Sequence, residues 1–162
     1  MSDLILGIGE YGVSKTPGSM VKTYALGSCV AVTMYEPNLK IAGMVHVALP
    51  ESKLNTAKGE QCPGYFADLG VPLLFKEMVR LGCHARGRGL VVKMLGGAAV
   101  MAGNDTFNIG KRNILAVKKI LWKLGMGPVA EDVGANYSRT VSLHVDTGLV
   151  NVSCPGRGQW QI

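Results

Sequence analysis

Aromatic side chains are scarce in this chain, with two Trp, five Tyr and three Phe among 162 residues. Few of them are interleaved with basic residues, so stacking on single-stranded nucleic acid is poorly served. Acidic side chains are also in the minority. Eleven Asp and Glu stand against 17 Lys and Arg, giving a net charge of +6 and a pI near 9.3. That balance favours an acidic partner; nucleic acid qualifies on charge alone, and so does a Glu-rich protein helix. Cysteine is sparse and scattered. Cys29, Cys62, Cys83 and Cys154 show no Cys-x-x-Cys spacing, and in a reducing compartment they are expected as free thiols. Cys83 and His84 are sequence neighbours, and neighbours rarely converge on one ion, so no metal site is expected. No uninterrupted apolar stretch reaches the ~18 residues of a membrane span. The nearest, Leu90 to Ala102, is broken by Lys93 and several glycines. Met1-Ser2-Asp3 lacks the basic start of a secretory signal. These absences point to a cytoplasmic protein that does not insert into a membrane. No linker, repeat or low-complexity run divides residues 1–162, so a single domain is expected.

Glycine, by contrast, is abundant. Its 22 residues are nearly double the usual ~7% share, which suggests many tight turns and strand ends rather than a helical bundle. Strands are expected at Leu4 to Ile8, Met20 to Leu26, Cys29 to Glu36, Lys40 to Leu49 and Leu90 to Leu95. Two or three more are expected near Val129 to Val133, Thr140 to Val145 and Leu149 to Ser153, with Asp146-Thr147-Gly148 as a hairpin turn. Phe66, Leu69, Leu73, Leu74, Met78 and Leu81 fall at helical spacing. Pro72 starts or kinks that helix, and Gly82 closes it. A second helix is expected from an Asn108 N-cap to Leu124, ended by Gly125. Pro50 to Pro63 reads as a polar loop, either a flap over a site or a surface loop. Strands followed by mixed helices and strands indicate an α+β layered domain.

The chemistry concentrates in Thr23-Tyr24-Ala25-Leu26-Gly27-Ser28-Cys29-Val30 and, seventeen residues beyond the cysteine, His46. Glu36-Pro37-Asn38-Leu39 between the two segments is turn chemistry. A four-residue loop there pairs Tyr35 with Lys40 and Cys29 with His46. Directly opposed residues in an antiparallel pair share a face, about 5 Å apart at Cβ. A thiol beside an imidazole is a nucleophile beside a base. Thr23 is the candidate that orients the imidazole. Gly27-Ser28 permits a sharp turn in which the Cys29 N–H would serve as an oxyanion donor. Each residue also has an inert reading, because Cys is among the most buried residue types and a lone strand His is commonly a core residue.

Other motifs carry less. Gly7-Ile8-Gly9-Glu10-Tyr11-Gly12 matches a dinucleotide fingerprint, but Val13 to Gly18 contains Pro17 and Gly18 where a helix must begin. The glycines are expected to form a tight bend near the site. Glu131 and Asp132, adjacent on a strand, face opposite sides and make poor acid–base partners. A different class of function also fits the basic residues Arg80, Arg86, Arg88 and those between Lys111 and Lys123: a non-catalytic nucleic-acid- or protein-binding module.

Several segments, in order, resemble the CheD family of chemoreceptor glutamine deamidases. They are Gly7-Ile8-Gly9-Glu10-Tyr11, Leu26-Gly27-Ser28-Cys29-Val30-Ala31-Val32, His46-Val47-Ala48-Leu49-Pro50, Gly96-Gly97-Ala98, Asn108-Ile109-Gly110-Lys111-Arg112-Asn113 and Ala130-Glu131-Asp132-Val133-Gly134-Ala135-Asn136. The resemblance spans nearly the whole chain; Pro72, inside the family's first long helix, departs from it. It implies two packed mixed β-sheets flanked by helices, a cysteine-hydrolase-like arrangement, with Cys29, His46 and Thr23 as catalytic residues and no cofactor. It further implies hydrolysis of receptor glutamine side chains to glutamate, with chemoreceptor cytoplasmic domains as substrate, a CheC-type phosphatase as a partner where one exists, and no nucleic acid. A protease, esterase or transglutaminase would begin with the same attack.

Overall fold

The computed structural model describes residues 2–99 and 108–162. Val100 to Ala102, the end of the longest apolar run, and Met1 lie outside the described residues. Ten strands and three α-helices form among those described. The strands are β1 (Leu4–Leu6), β2 (Tyr11–Ser14), β3 (Met20–Leu26), β4 (Val30–Glu36), β5 (Ile41–Val47), β6 (Val91–Gly96), β7 (Ala130–Val133), β8 (Arg139–His144), β9 (Val150–Cys154) and β10 (Gly158–Gln161). The helices are α1 (Thr56–Gln61), α2 (Ala67–Arg80) and α3 (Ile109–Lys123). One sheet runs β1-β3-β8-β9-β10 and the other β2-β5-β4-β6-β7. Each contains one parallel pair, β1–β3 and β6–β7, in an otherwise antiparallel ladder. The architecture is α+β, with two packed mixed sheets and helices.

The composition of β4 and β5 explains the layering. Both are buried along their whole length, so each has two apolar faces. Val30, Val32, Met34, Val45 and Val47 pack with α2 and α3 through Val71, Leu74, Met78, Val117 and Leu121. Ala31, Tyr35, Ala42 and Met44 face the other way and meet Leu6, Val21, Leu26, Val141 and Val152 of the second sheet. Burial of this kind stabilises by roughly 25 cal/mol per Å² of apolar surface. The order is therefore helices, inner sheet, outer sheet, and the site lies in the seam between the sheets.

Some local expectations change. The β4–β5 ladder pairs Glu36 with Ile41, Tyr35 with Ala42 and Ala31 with His46. The expected Tyr35–Lys40 and Cys29–His46 pairings are each displaced, because the loop is Pro37 to Lys40 rather than Glu36 to Leu39. Glu36 stays in the strand and its carboxylate accepts the Leu39 N–H, while Lys40 adopts positive φ. The shift amounts to two positions in register, so side chains keep their faces. Helix α2 begins at Ala67 and continues through Pro72. Asn108 occupies the α3 N-cap position in the left-handed conformation and makes no side-chain cap bond. Pro50 to Pro63 is not plain loop: it holds a 3-10 turn, Ser52–Leu54, and α1, whose Asn55 side chain accepts from the Lys58 N–H. Strands β2 and β10 were not anticipated; both are four-residue edge strands containing glycine, too short for a clear alternation.

Candidate active site

Three elements deliver the three candidate catalytic residues. β3 carries Thr23, β5 carries His46, and the turn Gly27-Ser28 leads into Cys29 just before β4. Thr23 and His46 belong to different sheets and meet across the seam. Thr23 Oγ1 and His46 Nδ1 are 2.7 Å apart, and both residues are buried, His46 with 2% exposure. The Thr23 hydroxyl also donates to the Leu6 carbonyl at 2.8 Å. A hydroxyl has one hydrogen, so towards His46 it accepts, and the imidazole proton resides on Nδ1. Nε2 is then the unprotonated nitrogen. It has no protein hydrogen-bond partner among the described residues.

The backbone of His46 is fixed by the glycine bend after β1. Gly9 N–H donates to His46 O at 2.8 Å, and His46 N–H donates to Glu10 O at 3.0 Å. Gly9 has φ +82, and a Cβ there would lie 2.6 Å from the Cys62 sulfur. The fingerprint-like glycines thus serve the site as a bend, and β2 follows them where a nucleotide fold needs a helix.

Cys29 lies two positions from Ala31, the direct partner of His46, and projects to the same face. The pair is therefore diagonal rather than directly opposed, and sulfur and Nε2 are not hydrogen-bonded. The turn that carries Cys29 is pinned at three successive carbonyls. Gly27 O accepts from Ala98 N at 2.9 Å, Ser28 O from Asn113 Nδ2 at 2.9 Å, and Cys29 O from Gly97 N at 2.8 Å. A bulge between Thr23 and Leu26 of β3, with Ala25 at φ +53, re-aims the chain into this turn. Gly96 has φ +104, and a Cβ there would sit 2.3 Å from the Cys29 carbonyl oxygen.

Electrostatics favour a neutral resting pair. Burial lowers His46 to about 4, so the imidazole is uncharged at neutral pH. Burial also raises the Cys29 thiol, partly offset by its own backbone N–H, which lies close to the sulfur. Both shifts oppose a thiolate–imidazolium ion pair at rest. The arrangement suits proton transfer from sulfur to Nε2 during attack. The other cysteines differ. Cys62 donates to Gly9 O, Cys154 is buried, and Cys83 is pushed up to about 11 by burial, with Glu36 adding.

Similarity to known proteins accompanies this geometry. A model of the family described as CheD chemotactic sensory transduction matches residues 48–154. The chain is 42% identical over 156 residues to the probable chemoreceptor glutamine deamidase CheD 1 of Syntrophus aciditrophicus, covering 96% of both chains. It is 43% identical over 155 residues to the chemoreceptor glutamine deamidase CheD of Thermotoga maritima, covering 96% of this chain and 94% of that one. A probable chemoreceptor glutamine deamidase CheD of Thermococcus kodakarensis is 38% identical over 156 residues, covering 95% and 94%. The chain belongs to the CheD family. The CheD model match begins beyond His46, whereas the CheD relatives align over nearly the full length.

Two supports of this CheD site escaped residue-by-residue reading. Asn113, fully buried on α3, donates to Ser28 O and Ala48 O, tying the turn before Cys29 to the end of β5. Its sequence signals are an Asn at an inward helical position and its place at the end of the family-like segment Asn108 to Asn113. Arg139, 1% exposed, pairs with Asp132 at 3.0 Å and donates to the carbonyls of Gly96 and Gly134. Asp132 also accepts from Trp160 Nε1, while Glu131 faces Lys118 at 3.0 Å. The two adjacent carboxylates do face apart. Among the described residues no cluster of His, Cys, Asp and Glu is arranged to hold a metal ion. No helix among them is long and apolar enough to cross a membrane.

Proposed function

We propose that this chain deamidates glutamine side chains on the cytoplasmic domains of chemoreceptors, converting them to glutamate, and that residues 1–162 act in the cytoplasm as one deamidase domain. The observation that carries the reading is the inter-sheet Thr23–His46 bond, which leaves Nε2 unprotonated and unpaired on the face from which Cys29 projects. The names of the relatives, chemoreceptor glutamine deamidases, support the substrate.

In the proposed chemistry the Cys29 sulfur attacks the carboxamide carbon as its proton passes to His46 Nε2. The Cys29 N–H, beyond the Gly27-Ser28 turn, donates to the developing oxyanion. The imidazolium, its Nδ1–H held by Thr23, returns the proton to the departing nitrogen, and ammonia leaves a thioester. Neutral His46 then deprotonates water, which attacks the thioester and releases glutamate and the thiol. A CheC-type phosphatase is the second partner that the family resemblance implies. The test is incubation of a purified receptor cytoplasmic fragment with wild-type protein and Cys29→Ala, followed by mass spectrometry. Conversion of Gln to Glu by the wild type alone is expected; conversion by neither overturns the reading.

A further inference from the structure

The outward face of α3 carries an apolar ridge that the fold does not cover. Trp122 is 82% exposed and Leu115 58% exposed, two helical turns apart. Across a groove of about 430 Å³, Leu54 of the 3-10 turn stands 87% exposed. Basic side chains flank this apolar surface: Arg112 and Lys119 line the groove with Lys53. A large exposed Trp on the helix face that also carries Arg112, Leu115 and Lys119 is the composition of an interface hot spot rather than of an ordinary solvated helix. The groove already accommodates one carboxylate. Glu51 lies 2.9 Å from Lys53, and Lys53 first, with Lys119 and Arg112 adding, holds that exposed carboxyl below its usual range.

The same helix reaches the nucleophile from its other side. Asn113 donates inward to Ser28 O from the N-terminal half of α3, so the Arg112–Leu115 end of the ridge lies about one helix diameter, ~10 Å, from the Cys29 turn, and Trp122 stands two turns further along the helix. We propose that the Leu54–Leu115–Trp122 surface, with Arg112 and Lys119, is where an acidic amphipathic helix of the receptor substrate docks, laying its apolar stripe along α3 and its carboxylates against the basic flank. This rests on the deamidase reading for the identity of the partner. Docking there holds a helix of the substrate beside the site, so a glutamine reaches Cys29 by position rather than by contacts to its own side chain.

The test compares binding of a receptor cytoplasmic fragment to full-length wild type, Trp122→Ala, and the double variant Arg112→Glu/Lys119→Glu. A double variant on the outer sheet's side, Lys22→Glu/Arg157→Glu, makes the same change in net charge. The rate at which iodoacetamide alkylates Cys29 reports an intact nucleophile. The expected result is about tenfold or greater weakening of Kd for the two ridge variants, with unchanged alkylation and a much smaller effect of the control. Binding unchanged in the ridge variants, or weakened equally by the control, overturns the proposal. So does a wild-type dimer that Trp122→Ala converts to monomer, because a second copy then covers the ridge. If the wild type binds the fragment yet converts no glutamine, the deamidase reading fails while the Kd comparison still decides the docking surface.

Discussion

At the scale of single residues, the tautomer of His46 is the central detail. Thr23 donates its one hydrogen to Leu6 O, which obliges Nδ1 to donate and leaves Nε2 unprotonated, as the proposed base requires. Thr23→Val keeps the shape and removes the acceptor. Its kcat for receptor-fragment deamidation is expected to fall about a hundredfold, while Thr23→Ser retains most activity; equal rates for Val and wild type would refute the orienting role. Burial of His46 also has a thermodynamic consequence. With its pKa lowered by burial to about 4 from the ordinary 6.5, the folded chain binds fewer protons than the unfolded chain between those values. Stability contributed at this position therefore declines as pH drops through that window and levels off below it, a loss on the order of 3 kcal/mol. Denaturation at stepped pH should show a steeper acid decline for wild type than for His46→Gln. Parallel curves would mean that the imidazole is not held neutral by the fold.

At the scale of elements, the site depends on backbone more than on side chains. The turn Gly27 to Cys29 is held by Gly97, Ala98 and Asn113, and β6 presses against it at Gly96. Gly96→Ala would place a Cβ at 2.3 Å from Cys29 O in a backbone of φ +104. It is expected to cost about 2 kcal/mol or more and to lower activity. Urea denaturation alongside the deamidation rate checks this, and an unchanged midpoint with full activity would contradict it. These same contacts explain what the sequence made legible. The helical spacing in α2 and the turn between β4 and β5 were readable because each is a local pattern. The face shared by Cys29 and His46 survived a two-position error in register, since side-chain direction repeats every second residue. Asn113 and Arg139 were not readable as site supports, because their partners lie 85 and 43 residues away. Strands β2 and β10 were missed because four residues at a sheet edge leave little pattern.

At the scale of the whole molecule, a net charge of +6 should steer the chain towards an acidic receptor surface. Association with the receptor fragment is expected to slow as ionic strength rises, with dissociation much less affected. Stopped-flow or surface-binding kinetics across a salt series would show it; an association rate indifferent to salt would remove electrostatics from recognition. Two sheets packed face to face give the site its other global property. Thr23 comes from the outer sheet and His46 from the inner one, so the Thr23–His46 bond forms only when both sheets dock. The measurement that bears most directly on this account is the rate of receptor-fragment deamidation by Cys29→Ser beside wild type and a Cys62→Ser control. Loss of conversion in Cys29→Ser, with wild-type and Cys62→Ser rates alike, is the predicted result. A Cys29→Ser rate equal to wild type would show that the reaction proceeds without this thiol.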